Sequence, residues 1–240
     1  MKNSLTRIIN SAMDKNVGLR IQPSSERRLA SARKQTLDRF RVPLVYDVGA
    51  NKGQWAKSLR MQGYKGDIIS FEPSDSFEIL KKASFDDQNW RCENVALANI
   101  NGEASLFTAS NHNLSTSILE PLEVLNLGLG IKFTLGKRAL VTTLDSYREG
   151  SESSNFYLKL DVQGAEMLAL EGAKNSLRDC VAVEFESALM CLYRGESTHY
   201  KIANFLIDHN FFPKQIVITH WDSDLSTVSM DSIFIKANEN

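Results

Sequence analysis

The stretch VYDVGANKGQ, residues 45–54, decides the fold. A short apolar run, residues 44–48, ends in a glycine and passes at once into a helix-forming segment. That pattern predicts a buried strand feeding a tight turn and a helix. Gly49 and Gly53 are expected to let the backbone pass close to a ligand. Asp47 is expected near the carboxyl end of its strand, the edge at which open α/β sheets bind ligands. The dinucleotide fingerprint G-x-G-x-x-G is not met, because Asn51 and Gln54 stand at its second and third glycine positions. No Walker lysine pattern is present either, which excludes a P-loop.

Outward from this turn the chain alternates. Trp55, Ala56 and Leu59 mark a helix that Gly63 can cap. Residues 67–71 read as a strand, Phe77, Leu80 and Ala83 as a helix, and residues 90–97 as a third strand. Such β-α-β-α-β order predicts a mostly parallel central sheet with helices on both faces. Residues 98–147 interrupt it. An Asn101-Gly102 turn leads into a strand that is expected to add a hairpin to the sheet. Residues 111–138 read as a long loop with short helical pieces, and long loops in compact domains are often functional. Alternation then resumes, with strands at 156–160 and 181–185 and helices at 165–177 and 198–209, the latter capped by Asn210. An antiparallel edge pair at 216–219 and 232–236 closes the chain. Upstream, Leu5, Ile8, Ile9, Ala12 and Met13 share one helical stripe. A second helix from Ser24 or Ser25 would bury Leu29, Ala32, Leu37 and Phe40. The expected organisation is an N-terminal helical cap over residues 1–42 and one α/β domain over 43–240, with an insert at about 98–147.

Composition fits this reading. The 240 residues are 42% apolar and 24% charged, ordinary globular values. Three widely spaced cysteines without a C-x-x-C pair argue against a zinc knuckle or a disulfide framework and suit a reducing cytoplasm. The start of the chain lacks the apolar core of a signal peptide. No run approaches the ~20 apolar residues that span a bilayer. A soluble, cytoplasmic protein is expected. Net charge is −1, but residues 1–41 carry ten Lys/Arg against three Asp/Glu. This basic segment reads as a solvated helical face. No aromatic residues interleave with its charges, which argues against nucleic acid as a partner.

Three further motifs carry chemistry. In ISFEP, residues 69–73, Glu72 stands at the end of the second strand, 19 residues after Gly53. An acid at that spacing can accept hydrogen bonds from ribose hydroxyls, and Pro73 holds it extended. In FYLKLDVQGAE, residues 156–166, Asp161 emerges at the same sheet edge, Gly164 permits a turn, and Glu166 falls in the first turn of the next helix, where the dipole favours an acid. In VEFES, residues 183–187, Glu184 or Glu186 is expected to face the site. No metal is expected. Asp161, Glu166, Glu184 and His199 have suitable ligand atoms but share no tight spacing.

VYDVGANKGQ, SFEP, NVALANINGEASLF, TTLDSY, LKLDVQGAEMLALEGA and VAVEFE occur in this order and spacing. Together they resemble the FkbM family of methyltransferases over roughly residues 43–220. The resemblance implies a class I, Rossmann-like fold, S-adenosyl-L-methionine as cofactor, and O-methylation of a hydroxyl on a sugar, glycan or secondary metabolite. Asp47, Gly49, Asn51, Gly53 and Glu72 match its cofactor-binding motifs. Asn94 and Ala96 match the strand that passes the adenine in related folds, and Lys159, Asp161, Gly164 and Glu166 match its K-x-D-x-x-G-x-E motif. On this reading Asp161 is the expected general base, while Ser115, Ser117 and Glu184 are expected on the substrate side. The acceptor is a small molecule or a glycan, and homo-oligomerisation stays open. Rival readings are a nicotinamide-dependent oxidoreductase and a non-catalytic protein with a degenerate fold. Residues 1–42 and 111–140, outside the resemblance in detail, are where acceptor selection is expected.

Overall fold

A computed structural model of the chain describes residues 25–123, 130–150, 154–221 and 227–237. The helix read over Leu5–Met13 lies outside the described residues. The elements in chain order are α1 (Ser25–Phe40), β1 (Leu44–Val48), α2 (Gln54–Met61), β2 (Asp67–Phe71), α3 (Phe77–Ala83) and β3 (Trp90–Glu93). They continue with β4 (Ala96–Leu97), β5 (Gly102–Ala109), β6 (Phe133–Thr142), α4 (Leu144–Tyr147), β7 (Phe156–Leu160), α5 (Glu166–Glu171) and a 3₁₀ turn (Ser176–Arg178). β8 (Cys180–Ala188), α6 (His199–Asp208), β9 (Phe211–Trp221) and β10 (Thr227–Lys236) complete the fold.

Among the described residues, seven strands form the central sheet in the order β3-β2-β1-β7-β8-β10-β9. β3, β2, β1, β7 and β8 run parallel. β10 enters antiparallel between β8 and the edge strand β9. This is the Rossmann-like, mostly parallel architecture expected from the sequence. The strand order reverses between β1 and β7, the switch point at which such sheets open a crevice for ligands.

Period-two alternation assigns each strand residue to a face. Tyr46, Val48, Leu158, Leu160 and Phe185 pack with Leu144 of α4, Leu170 of α5 and Leu206 of α6. On the opposite face Val45, Ile68, Tyr157 and Ala182 pack with Leu37 of α1, Ala56 and Leu59 of α2, and Leu80 of α3. The N-terminal cap is present as α1, whose Leu29 and Ala32 lie against Val217 of β9 and Ile233 of β10. It covers the sheet face, and none of its residues lines the large cavity described below.

The insert departs from expectation. Residues 90–97 are two strands, not one: the chain leaves the main sheet after Glu93 and enters a second sheet at Ala96. Among the described residues that sheet has three strands, ordered β4-β6-β5, so the Asn101-Gly102 turn opens a separate sheet instead of a hairpin on the main one. The predicted loop also ends earlier, since β6 begins at Phe133. The helix read over 165–177 stops at Glu171, and a 3₁₀ turn follows. Among the described residues, no helix is long and apolar enough to cross a membrane.

Candidate active site

The carboxyl ends of β1, β2, β7 and β8 meet at a cavity of about 460 Å³, within the range of small-molecule sites. Gly49, Ala50, Asn51, Gln54 and Trp55 line one side, Glu72 and Val95–Leu97 a second, and Asp161–Gln163 with Glu186 a third. Asn111 and Asn113–Ile118 of the insert close it over.

The glycine turn is built for internal contacts. Gly49 has φ +76°, and a Cβ there would overlap the backbone carbonyl of Asp161. Gly53 has φ +80°, does not line the cavity, and a Cβ on it would stand 2.8 Å from the Trp90 ring. Both glycines are required by the close approach of the end of β7 and of Trp90 on β3; Gly49 also lines the cavity, while Gly53 does not. Asn51 holds φ 48°, a left-handed conformation that Asn tolerates. Its Oδ1 is buried at the cavity and has no hydrogen-bond partner among the described residues.

Glu72 lies inside the cavity wall. Its Oε2 accepts the Asn51 amide N–H at 2.8 Å and its Oε1 the Ser74 N–H at 2.9 Å. Burial pushes its pKa up, while the Ser74 hydroxyl and these two amide bonds favour the charged form. With the Ser74 hydroxyl also bonded to it, the carboxylate keeps roughly one of its four acceptor positions for a ligand hydroxyl. Asn94 is exposed and does not line the cavity; it donates to the Glu72 carbonyl at 2.9 Å and so braces the strand end. Ala96 lines the cavity, as does Val95, which the sequence reading passed over.

Asp47 is fully buried beneath the cavity and does not line it. Its partners are the Ser70 hydroxyl at 3.1 Å and the Lys159 ammonium at 3.2 Å. Asp47 and Lys159 are register partners on β1 and β7, which explains a lysine within a fully buried strand. Lys159 lines the cavity, reaching the Gly49 carbonyl at 3.3 Å and Asp161 at 3.5 Å. Burial opposes its charge, but Asp47 and Asp161 outweigh it and raise its pKa. Asp161 keeps 39% of its side chain exposed and accepts from Gln163 Nε2 at 2.8 Å.

The insert serines both line the cavity. Ser115 Oγ accepts from Asn111 Nδ2 at 2.9 Å, and Ser117 Oγ accepts the Leu119 N–H at 3.0 Å. Glu184 requires a correction, because it does not line the cavity. Its carboxylate is buried against Arg33 and Tyr157, and the residue facing the cavity from β8 is Glu186. Gln163 and Trp55 line it too and had no sequence signal beyond their neighbours in the motifs.

The family model described as Methyltransferase FkbM domain matches residues 47–213. The chain belongs to the FkbM methyltransferase family. No curated protein matches the chain significantly. Solved structures resemble it weakly. TrmK of M. capricolum, in complex with S-adenosyl-homocysteine, is 10% identical with a TM-score of 0.49, over 85% of this chain and 66% of that one. This chain therefore spans just under two thirds of that protein. Magnesium protoporphyrin IX methyltransferase from Synechocystis PCC 6803 with bound SAM is 12% identical with a TM-score of 0.46, over 98% of this chain and 97% of that one. The 1,6-didemethyltoxoflavin-N1-methyltransferase of Burkholderia thailandensis is 11% identical with a TM-score of 0.46, over 98% and 90%.

The family's K-x-D-x-x-G-x-E glutamate is a turn fastener in this member. Glu166 is 2% exposed, and its Oε1 accepts the amide N–H groups of Val162 at 3.0 Å and Gly164 at 3.3 Å. Burial pushes its pKa up to about 8. The folded chain thus keeps a proton that the unfolded chain releases in the usual carboxylate range. Stability from this group is full at acidic pH and is lost as pH rises through about 8. Glu186 and Asp231, pushed up to about 7 and about 8 chiefly by burial, act with the same sign. Glu166→Gln removes one of the three. In thermal melts from pH 5 to 9 the variant should lose less Tm than the wild type, the difference corresponding to at most about 1.4 kcal/mol per pH unit. Parallel curves would rule out burial of a protonated Glu166.

Among the described residues no group of three His, Cys, Asp or Glu side chains is arranged to hold a metal ion. His199, considered as a ligand from the sequence, shares a 2.7 Å hydrogen bond with Ser187 Oγ.

Proposed function

We propose that this FkbM member binds S-adenosyl-L-methionine in the cavity at the carboxyl ends of β1, β2 and β7 and methylates a hydroxyl of a sugar, glycan or secondary metabolite. The observation that carries the reading is the pairing of Glu72 with Asn51. A buried carboxylate with an acceptor position to spare stands beside a buried amide oxygen that has no partner among the described residues. Two such groups on adjoining sides of the cavity suit the hydroxyl and ammonium donors of the cofactor. The cofactor supplies an electrophilic methyl group on a sulfonium.

Three tasks fall to the chain. Glu72 and Asn51 orient the cofactor by accepting its donors. Asp161, the half-open carboxylate at the end of β7, receives the proton of the acceptor hydroxyl. The insert segment Asn113–Ile118 covers the cavity and limits water, so that alignment supplies much of the acceleration. The polar lining of Asn111, Asn113, Ser115, Thr116 and Gln163 suits an acceptor rich in hydroxyl groups.

Glu72→Ala is expected to weaken cofactor binding by about 1–3 kcal/mol, the range for leaving a charge-assisted bond unmade. Unchanged affinity in calorimetry would remove Glu72 from the site. The reaction type is read from the product. Label from S-adenosyl-L-methionine should appear in a base-stable methyl ether when the chain is incubated with a panel of hydroxylated acceptors. Label confined to nitrogen, or to RNA, overturns the O-methylation reading.

A further inference from the structure

Helix α1 lies outside the stretch 47–213 that the family model matches, yet it reaches into the support of the cavity. Its Arg33 is buried, with 7% of the residue exposed. Arg33 Nε donates to Glu184 Oε2 at 2.7 Å and Nη2 to Oε1 at 2.5 Å. The same carboxylate accepts from the Tyr157 hydroxyl at 2.6 Å and from Trp55 Nε1 at 3.4 Å. The Arg33 guanidinium also stacks 4.9 Å from the centre of the Trp55 ring. Trp55 forms part of the cavity wall, and Lys159 lies 5.9 Å from the same ring.

Burying a two-pronged ion pair carries a large desolvation penalty, and well-packed apolar side chains often serve stability as well or better. Charge balance on this face supplies another role. Lys159 and Glu184 are register partners on β7 and β8, so the ammonium stands between Glu184 on one side and Asp47 and Asp161 on the other. With Glu184 neutralised by Arg33, Lys159 is left to Asp47, Asp161 and the Gly49 carbonyl. Without Arg33, Glu184 would be a buried charge whose remaining cationic neighbour is Lys159.

We propose that Arg33 is a positioning residue of the cofactor site: by neutralising Glu184 and holding Trp55, it keeps Lys159 turned toward Asp47, Asp161 and the Gly49 turn. The inference rests on the cofactor reading above, and the test separates the two. Calorimetry with S-adenosylhomocysteine needs no acceptor. Wild type should bind; its failure to do so overturns the cofactor reading and this role with it. Given wild-type binding, Arg33→Met should bind at least tenfold more weakly, because Lys159 swings toward the orphaned Glu184. Its crystal structure should show the Lys159 ammonium within ion-pair distance of Glu184. Adding Glu184→Gln removes the orphaned charge; its Oε1 can still accept from Trp55 Nε1, while its Nε2 donates to the Tyr157 hydroxyl. The double variant should recover to within about threefold of wild type, and Arg33→Lys, which keeps the charge, should do the same. Wild-type affinity in Arg33→Met overturns the role. So does a double variant no better than the single one, the result expected if Arg33 merely braces the fold. Should Arg33→Met not fold, the other two variants decide: both within threefold of wild type supports the role, and a tenfold loss in either overturns it.

Discussion

Asp161→Asn is expected to lower kcat by roughly 10²–10⁴-fold, the usual contribution of a positioned base, while leaving the fold and cofactor affinity close to wild type. The geometry permits so clean a separation. Asparagine keeps an acceptor oxygen for Gln163 Nε2, and Lys159 retains Asp47 at 3.2 Å and the Gly49 carbonyl at 3.3 Å. What asparagine cannot do is accept the acceptor's proton. The loss should therefore fall on kcat, with little change in the KM for the cofactor. If Asp161 serves only to orient Lys159, the pattern reverses: weaker cofactor binding with turnover retained at saturation. Near-wild-type kcat at saturating cofactor and acceptor would end the general-base role.

Lys159→Met should destabilise the fold by about 3–5 kcal/mol, the range for breaking a buried ion pair from one side. Asp47 has no exposed surface and, apart from Lys159, hydrogen-bonds the Ser70 hydroxyl, which itself accepts from Trp90 Nε1 at 2.9 Å. Removing the ammonium leaves a charge at the centre of the sheet. The urea midpoint should fall at nearly constant m-value. Adding Asp47→Asn should restore most of the loss, since it removes the stranded charge. A midpoint within about 0.5 kcal/mol of wild type in the single variant would mean that Asp47 does not depend on Lys159 in the folded state.

Much of this organisation is legible in the sequence because the parallel strands are buried on both faces. Val45, Tyr46, Val48, Ile68, Ile69 and Phe71 are all almost wholly buried, and continuous apolar runs announce such strands. The same logic marks the charges that interrupt them. Asp47 and Lys159 stand out within LVYDV and FYLKL, but only the sheet register shows that they answer each other. Glycines mislead for a related reason. A positive φ is readable from the turn, whereas the collisions that forbid a Cβ at Gly49 and Gly53 come from Asp161 and Trp90, distant in the chain.

The insert is harder to read because its burial is one-sided. β6 exposes Leu135, Leu140 and most of its polar residues, so neither strict alternation nor a continuous apolar run appears. The break at Asn94 and Val95 is nearly silent, since the single polar residue Asn94 separates β3 from the apolar run that enters the other sheet. Arg33 is the clearest case of chemistry hidden by composition. In a segment rich in arginine and lysine it reads as one more solvated charge, and only the fold turns it inward to Glu184. Glu184 and Glu186 share a strand face two residues apart, and the presence of α1 decides that the first is paired beneath the site while the second faces the cavity.

Titration of the wild-type chain with S-adenosylhomocysteine and, in parallel, with NAD tests the central claim most directly. The account predicts saturable one-to-one binding of S-adenosylhomocysteine, lost or weakened in Glu72→Ala, and no heat from NAD because Asn51 and Gln54 replace the glycines a pyrophosphate needs. Binding of NAD, or no response to S-adenosylhomocysteine, would contradict it.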